Sequence, residues 1–319
     1  MIKSYPFYLL IFLIFFQSSA HIRTQTTLDY QSRIHPEIAS DFMVVTQNEH
    51  ATNAGYEILR KGGNAVDASV AVGFALAVTL PRAGNLGGGG FILIYNKEED
   101  EIVSIDYRSA APKSATSDLF IDGEEVVRFG HLVNAIPGSV AGLLKAHTDY
   151  GSLPLSDLLK PAIRLAREGF EVTYDLNFVL NWGKESLLAN NTSKEKFYNS
   201  SEDPIAVKSI LKQPKLARTL FMISKKGSDI FYKGEIAKWI SEESLSNGGL
   251  ITLDDLASYK AKNRKPIETS YRGYRIVSMP PSASGGLVLL QTLNILENFN
   301  LKDSCLLYTS PSPRDRVQS

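Results

Sequence analysis

Arg108 is the side chain in this sequence best placed to bind a ligand by charge. It follows the alternating run Ile102 to Tyr107 and precedes the apolar Ala110-Ala111-Pro112. A guanidinium at the end of a strand can grip a carboxylate through two parallel N–H···O bonds. The competing reading is an intrachain ion pair with Asp106, two residues earlier on the same strand face. On the residues alone both readings stand.

The run Gly87-Gly88-Gly89-Gly90 invites comparison with a phosphate-binding loop. Such a loop leads from a strand into a helix and carries a Lys-Ser or Lys-Thr pair. Here the glycines enter an apparent strand, Phe91 to Tyr95, and no such lysine follows. A tight backbone passage, which Cβ atoms would obstruct, fits better. Gly138-Ser139-Val140-Ala141-Gly142 lacks the spacing of a nucleophile elbow. The histidines (His21, His35, His50, His131 and His147) show no metal-ligand spacing, and Cys305 is the only cysteine. No zinc site is expected. A Ser-His-Asp triad needs no sequence proximity, and nothing here points to one.

Several elements must position these residues. A helix is expected from Thr52 to Lys61, ended by Gly62-Gly63. Asn64 then caps a second helix, Ala65 to Leu80, with Asp67 near its positive end. That helix is apolar on nearly all sides, so it should be the buried central helix. Phe91 to Tyr95 and Ile102 to Tyr107 read as paired strands, with Val103, Ile105 and Tyr107 on one face and Ser104 and Asp106 on the other. From Pro137 to Phe299 the pattern is mostly helical. Gly138 to Tyr150 forms one helix. Ser156 caps a segment kinked or split at Pro161 and closed by Gly169. Pro214 to Lys226 and Ile230 to Ser246 follow, then a capping-box pattern at Thr252 to Asp255. A strand pair turns at Arg272-Gly273, and a last helix covers Gly286 to Asn298.

The chain has 319 residues, 44% of them hydrophobic and 21% charged, long enough for a large core. Lys+Arg and Asp+Glu both number 34, so no basic field exists to attract nucleic acid. Residues 1–20 read as an export signal: Lys3, the apolar run Phe7 to Phe16, then Ser18-Ser19-Ala20. A periplasmic or extracellular protein is expected, with an uncleaved N-terminal anchor as the alternative. Residues 21–42 form a flexible lead-in. One cysteine excludes a disulfide within the chain. Asn191 and Asn199 open glycosylation sequons, which matter only in a eukaryotic secretory pathway. From 303 to 319 the sequence loses periodicity and reads as foreign, as from read-through into a cloning adaptor, or else as a disordered tail.

Ordered blocks along 43–302 resemble the large subunit of the γ-glutamyltransferase (γ-glutamyltranspeptidase) family. They include Gly62-Gly63-Asn64-Ala65-Val66-Asp67-Ala68, the glycine cluster, Arg108 with Ala111-Pro112, and Pro137 to Gly142. Asn247 to Thr252, Tyr271 to Tyr274, Met279-Pro280-Pro281 and Ser284-Gly285-Gly286 continue the series. The resemblance implies an α+β fold of the N-terminal-nucleophile hydrolase type, a four-layer αββα sandwich, of which this chain supplies the large-subunit portion. It implies that Arg108 binds the α-carboxylate of a γ-glutamyl group. Ser109 departs from the pattern, since Glu is common there.

The resemblance further implies a precursor that cuts itself, exposing a threonine at the start of a small subunit. That threonine attacks the γ-carbonyl, with its own amine as base. The γ-glutamyl group of glutathione or a γ-glutamyl peptide then passes to water, an amino acid or a dipeptide, and the resemblance implies no metal or organic cofactor. The nucleophile is expected downstream of this chain, so no catalytic residue is assigned within it, and it is expected to be inactive without its small subunit. Two alternatives remain. One is a cephalosporin-acylase-like amidase of the same fold. The other is an exported solute-binding module without catalysis, with Arg108 as its carboxylate anchor.

Overall fold

The structure is a computed structural model, and it describes residues 38–122 and 125–300. The expected export signal, residues 21–37 of the expected lead-in and the tail from 303 onward lie outside the described residues. The chain divides at Phe42. Of the first unit, residues 38–42 are described and carry no helix or strand. Everything below concerns the second unit.

Two helices open it. Helix α1 spans Glu49–Arg60, starting three residues before the sequence reading placed it. Asn48 explains the earlier start, because its side chain accepts from the Ala51 N–H and caps the helix there. Helix α2 spans Ala65–Thr79 and is the buried central helix that its composition required. Val70, Ala71, Phe74, Ala75 and Val78 have no measurable exposure. Asn64 and Asp67 form a reciprocal capping box at its start. Asp67 also takes hydrogen bonds from the N–H groups of Ser152 and Leu153 and from the Ser152 hydroxyl. Burial alone would raise its carboxyl, but the bonds from Ser152, Asn64 and Leu153 outweigh that and hold it below the usual range.

Strands β1 (Phe91–Asn96) and β2 (Glu101–Asp106) pair antiparallel, with Phe91 opposite Asp106. The residues of β2 from Val103 to Asp106 are buried on both faces. A two-residue pair follows: β3 (Ile121–Asp122) with β4 (Glu125–Val126). Helix α3 (Ser139–Tyr150) packs on α2 and on the strands. Helix α4 (Leu155–Glu168) corrects the sequence reading at its start and keeps one of the two forms expected at Pro161, a single helix. Pro154, not Ser156, occupies the N-cap position, and the helix runs unbroken through Pro161. An internal proline costs about 3 kcal/mol. The amphipathic face offsets it by fully burying Leu158, Leu159, Ala162 and Ala166.

Between 169 and 213 the chain forms β5 (Phe170–Glu171), α5 (Tyr174–Trp182), α6 (Lys184–Leu188), α7 (Asn191–Phe197) and β6 (Ile210–Leu211). The pairing of β5 with β6 was not expected in a segment read as helical, and two-residue strands leave no periodic pattern. Helix α8 spans Pro214–Tyr232 as two stretches joined across a break at Gly227 (φ 64°), so the expected end at Lys226 holds for the first stretch. Helix α9 spans Glu235–Ser246. Thus Ile230 to Tyr232 belong to α8, not to the following helix. Phe231 and Tyr232 are buried there, and that burial draws the last turn of α8 inward.

Helix α10 (Leu253–Ser258) begins with the expected Thr252–Asp255 capping box. The short strand β7 (Lys262–Arg264) then adds to the free edge of β2, giving the sheet order β1-β2-β7. Strands β8 (Ile267–Tyr271) and β9 (Tyr274–Ser278) form the hairpin turning at Arg272-Gly273. Helix α11 (Ser284–Leu296) closes the described chain. It packs on that hairpin, while Leu287, Val288, Leu289 and Ile295 stay exposed.

Candidate functional site

Arg108 lies two residues past the end of β2, with its side chain exposed. Its expected alternative partner is taken. The Asp106 carboxylate binds the guanidinium of Arg264 on β7, with Nε and Nη2 at 3.2 and 3.1 Å from Oδ2. Asp106 does touch Arg108, but through the backbone: Oδ1 accepts from the Arg108 N–H at 3.0 Å. Among the described residues, the Arg108 guanidinium has no hydrogen-bond or ion-pair partner. A guanidinium with a fixed root and a free fork has the geometry to accept a planar anion.

The backbone around Arg108 is pinned on every side. Tyr107 exchanges both backbone bonds with Gly90, at 3.0 and 3.3 Å. The Arg108 C=O accepts from the Tyr259 hydroxyl at 2.8 Å. Ala110 and Ile136 exchange backbone bonds at 3.1 and 2.8 Å. Lys113 N–H donates to the buried Asp255 carboxylate at 3.0 Å, which joins this loop to the start of α10. Burial works against the Asp255 charge, yet the bonds from Lys113 and Thr252 prevail and lower its pKa.

The glycine cluster serves this pinning. A Cβ on Gly89 would stand 2.4 Å from the Ser109 nitrogen. The Gly88 C=O accepts from the N–H groups of Gly138 and Ser139 at 2.7 and 3.0 Å. The glycines therefore form the tight passage expected of them, with α3 starting against their carbonyl. Gly138 is crowded from two sides, since a Cβ there would meet the Tyr107 oxygen at 2.0 Å and the Tyr259 hydroxyl at 2.2 Å.

The sequence reading missed Arg264, Tyr259 and Tyr232. Tyr232 stacks on Tyr259 and bonds through its hydroxyl to Pro137 and Ala141. No periodicity marks these residues, and only the small-residue block Pro137 to Gly142 signals that something packs closely there. A cavity of about 330 Å³ is lined by Leu144, Lys145, His147, Asp149, Gly227 and Ser228. Arg108 does not line it, so it is separate from this site.

The sequence model of the family described as "Gamma-glutamyltranspeptidase" matches residues 51–309. This chain belongs to the gamma-glutamyltranspeptidase family. It is 47% identical over 274 residues to the "Glutathione hydrolase proenzyme" of Escherichia coli (strain K12), covering 84% of this chain and 47% of that protein. The Helicobacter pylori gamma-glutamyltranspeptidase structure superposes with TM-score 0.82 at 39% identity, covering 87% of this chain and 80% of that one. A cephalosporin acylase from Bacillus halodurans superposes with TM-score 0.71 at 29% identity, covering 85% and 53%.

The chain spans about half the length of the curated relatives it matches. Its fold is the N-terminal-nucleophile hydrolase fold of the gamma-glutamyltranspeptidases, in the large-subunit part. Within that fold, the pinned loop from Tyr107 to Lys113 presents Arg108.

Proposed function

We propose that this chain is the large-subunit part of a γ-glutamyltransferase that hydrolyses or transfers the γ-glutamyl group of glutathione and γ-glutamyl peptides. The observation carrying this reading is the exposed Arg108 guanidinium on a doubly held backbone, in a chain of this family. Arg108 takes the donor's α-carboxylate in a two-bond grip, which limits where the γ-carbonyl can stand relative to the protein. A small subunit from the same precursor supplies the nucleophilic threonine and the oxyanion donors. The acyl group then passes to water, an amino acid or a dipeptide. The N-terminal segment 1–20 supports export, so the reaction would run outside the cytoplasm.

The likeness to a cephalosporin acylase favours one second reading, hydrolysis of another amide whose acyl part bears a carboxylate. Steady-state assays of the complete precursor product separate the two. A γ-glutamyl anilide should be turned over with much higher kcat/KM than a glutaryl anilide, which keeps the terminal carboxylate but lacks the α-amino group. Equal or reversed preference would overturn the γ-glutamyl reading.

A further inference from the structure

The Tyr259 hydroxyl and the Arg108 carbonyl meet at 2.8 Å across 151 residues of sequence. A carbonyl only accepts, so the phenol must donate. Burial first, then the nearby Asp106 charge and Tyr107, push the Tyr259 pKa up to about 12. The phenol therefore keeps its proton, and this bond persists, throughout the range in which an exported enzyme works.

Tyr259 is itself held. Its ring lies nearly parallel to that of Tyr232, with centroids 5.7 Å apart and an interplanar angle of 11°. Tyr232 is buried near the end of α8. Its hydroxyl donates to the Pro137 C=O at 2.8 Å and accepts from the Ala141 N–H at 3.1 Å. Phe231 meets the Tyr232 ring edge-on at 4.9 Å. A chain of contacts thus leads from the core end of α8, through two stacked rings, to the backbone of Arg108. Gly138 leaves room for it, since any side chain there would strike the Tyr259 hydroxyl.

From this arrangement we infer that Tyr259, backed by Tyr232, is the positioning residue that sets where the Arg108 guanidinium stands. It governs affinity for the donor's carboxylate without touching substrate. The inference rests on the reading of Arg108 as the carboxylate anchor. The physical reason is leverage. Arginine has a long, rotatable side chain, and a bidentate grip tolerates little displacement of its root. Asp106 fixes the Arg108 N–H, and Tyr259 fixes its C=O. With both ends of the residue held, only the side-chain torsions remain to be ordered when substrate arrives.

The test uses the complete two-subunit enzyme and two donors: a γ-glutamyl anilide, and the same anilide with its α-carboxylate converted to the carboxamide. Tyr259→Phe removes the hydroxyl and leaves the ring stack. Loss of one such bond should raise KM for the carboxylate donor about fivefold to tenfold, with kcat changed by less than about twofold. Kinetics on the carboxamide donor should stay put, so the enzyme's preference for the carboxylate falls by the same factor as KM rises. A merely structural loss would lower turnover of both donors together and overturn the inference. If wild type prefers the carboxylate and Arg108→Ala abolishes that preference, but Tyr259→Phe keeps it, the positioning role alone fails. If wild type shows no such preference, the reading of Arg108 fails and takes this inference with it.

Discussion

Asp106 takes its cation from Arg264, 158 residues further along the chain, and not from Arg108 two residues away. Oδ2 receives both Arg264 nitrogens, while Oδ1 receives the Arg108 N–H. One buried carboxylate thus does two jobs. It closes the β2–β7 edge, and it turns Arg108 so that its charge stays uncommitted. Arg264 neutralises Asp106 and thereby keeps that carboxylate from capturing the guanidinium next to it.

Arg108→Ala in the complete enzyme should lower kcat/KM for γ-glutamyl donors by about tenfold to a hundredfold, the worth of a charge-assisted two-bond contact. The loss should fall mainly in KM, because the carboxylate is bound in the ground state as well as in the transition state. Arg108→Lys should recover only part of it, since an ammonium cannot offer the planar fork. An unchanged KM in Arg108→Ala would remove this residue from the binding site.

Replacing Arg264 should act on the same site from outside it. Arg264→Met leaves the mostly buried Asp106 carboxylate without its cation, at a cost of about 1–3 kcal/mol after allowing for the partial exposure of Arg264. Arg108 is the nearest replacement, so KM for the γ-glutamyl donor should also rise. The double variant Asp106→Asn with Arg264→Met should regain stability over Arg264→Met alone, because no uncompensated charge remains. Thermal melting with donor kinetics checks both. Strictly additive losses would mean that the pair is not coupled.

These partners show where the sequence was legible. The caps at Asn64 and Thr252, the all-apolar α2 and the Arg272-Gly273 hairpin are local patterns, and local patterns survive in sequence. The Arg108 loop was visible as well, as was the tight passage of the glycines. Strand β7 was not. Lys262-Asn263-Arg264 is exposed, polar and three residues long, and only the free edge of β2 makes it a strand. The partner of Asp106 was hidden with it. Tyr232 and Tyr259 were hidden for a related reason. Their meeting depends on the short helical stretch after the break at Gly227, which buries Phe231 and Tyr232 and ends at Tyr232 instead of running on into α9.

The glycine cluster offers a test with its own control. A Cβ on Gly89 would overlap backbone, 2.4 Å from the Ser109 nitrogen, whereas on Gly87 it would meet only the Asn85 side-chain oxygen at 3.5 Å. Gly89→Ala should therefore destabilise by about 3 kcal/mol, and Gly87→Ala by less than about 1 kcal/mol. Denaturant melts of the two variants should differ by that margin. Equal effects would mean that the passage is not what these glycines are for.

Asp67 makes the last prediction, and its sign follows from its bonds. Hydrogen bonds from Ser152, Asn64 and Leu153 overcome the effect of burial and depress its pKa below 3.8, the ordinary value. A carboxyl depressed by folding adds stability above its unfolded pKa and loses it as pH falls through its folded pKa. Asp67→Asn keeps the shape but turns one acceptor into a donor facing the N–H groups of Ser152 and Leu153. At neutral pH that should cost about 2–3 kcal/mol, mostly through donors left unsatisfied between α2 and the α3–α4 turn. Below pH 3.8 the wild-type advantage should shrink, because the unfolded chain takes up its proton there while the folded carboxyl does so only at lower pH. Unfolding followed from pH 7 down to the acid limit reads this directly. A gap that stays constant, or that widens as pH falls, would show that the Asp67 charge does not hold this junction.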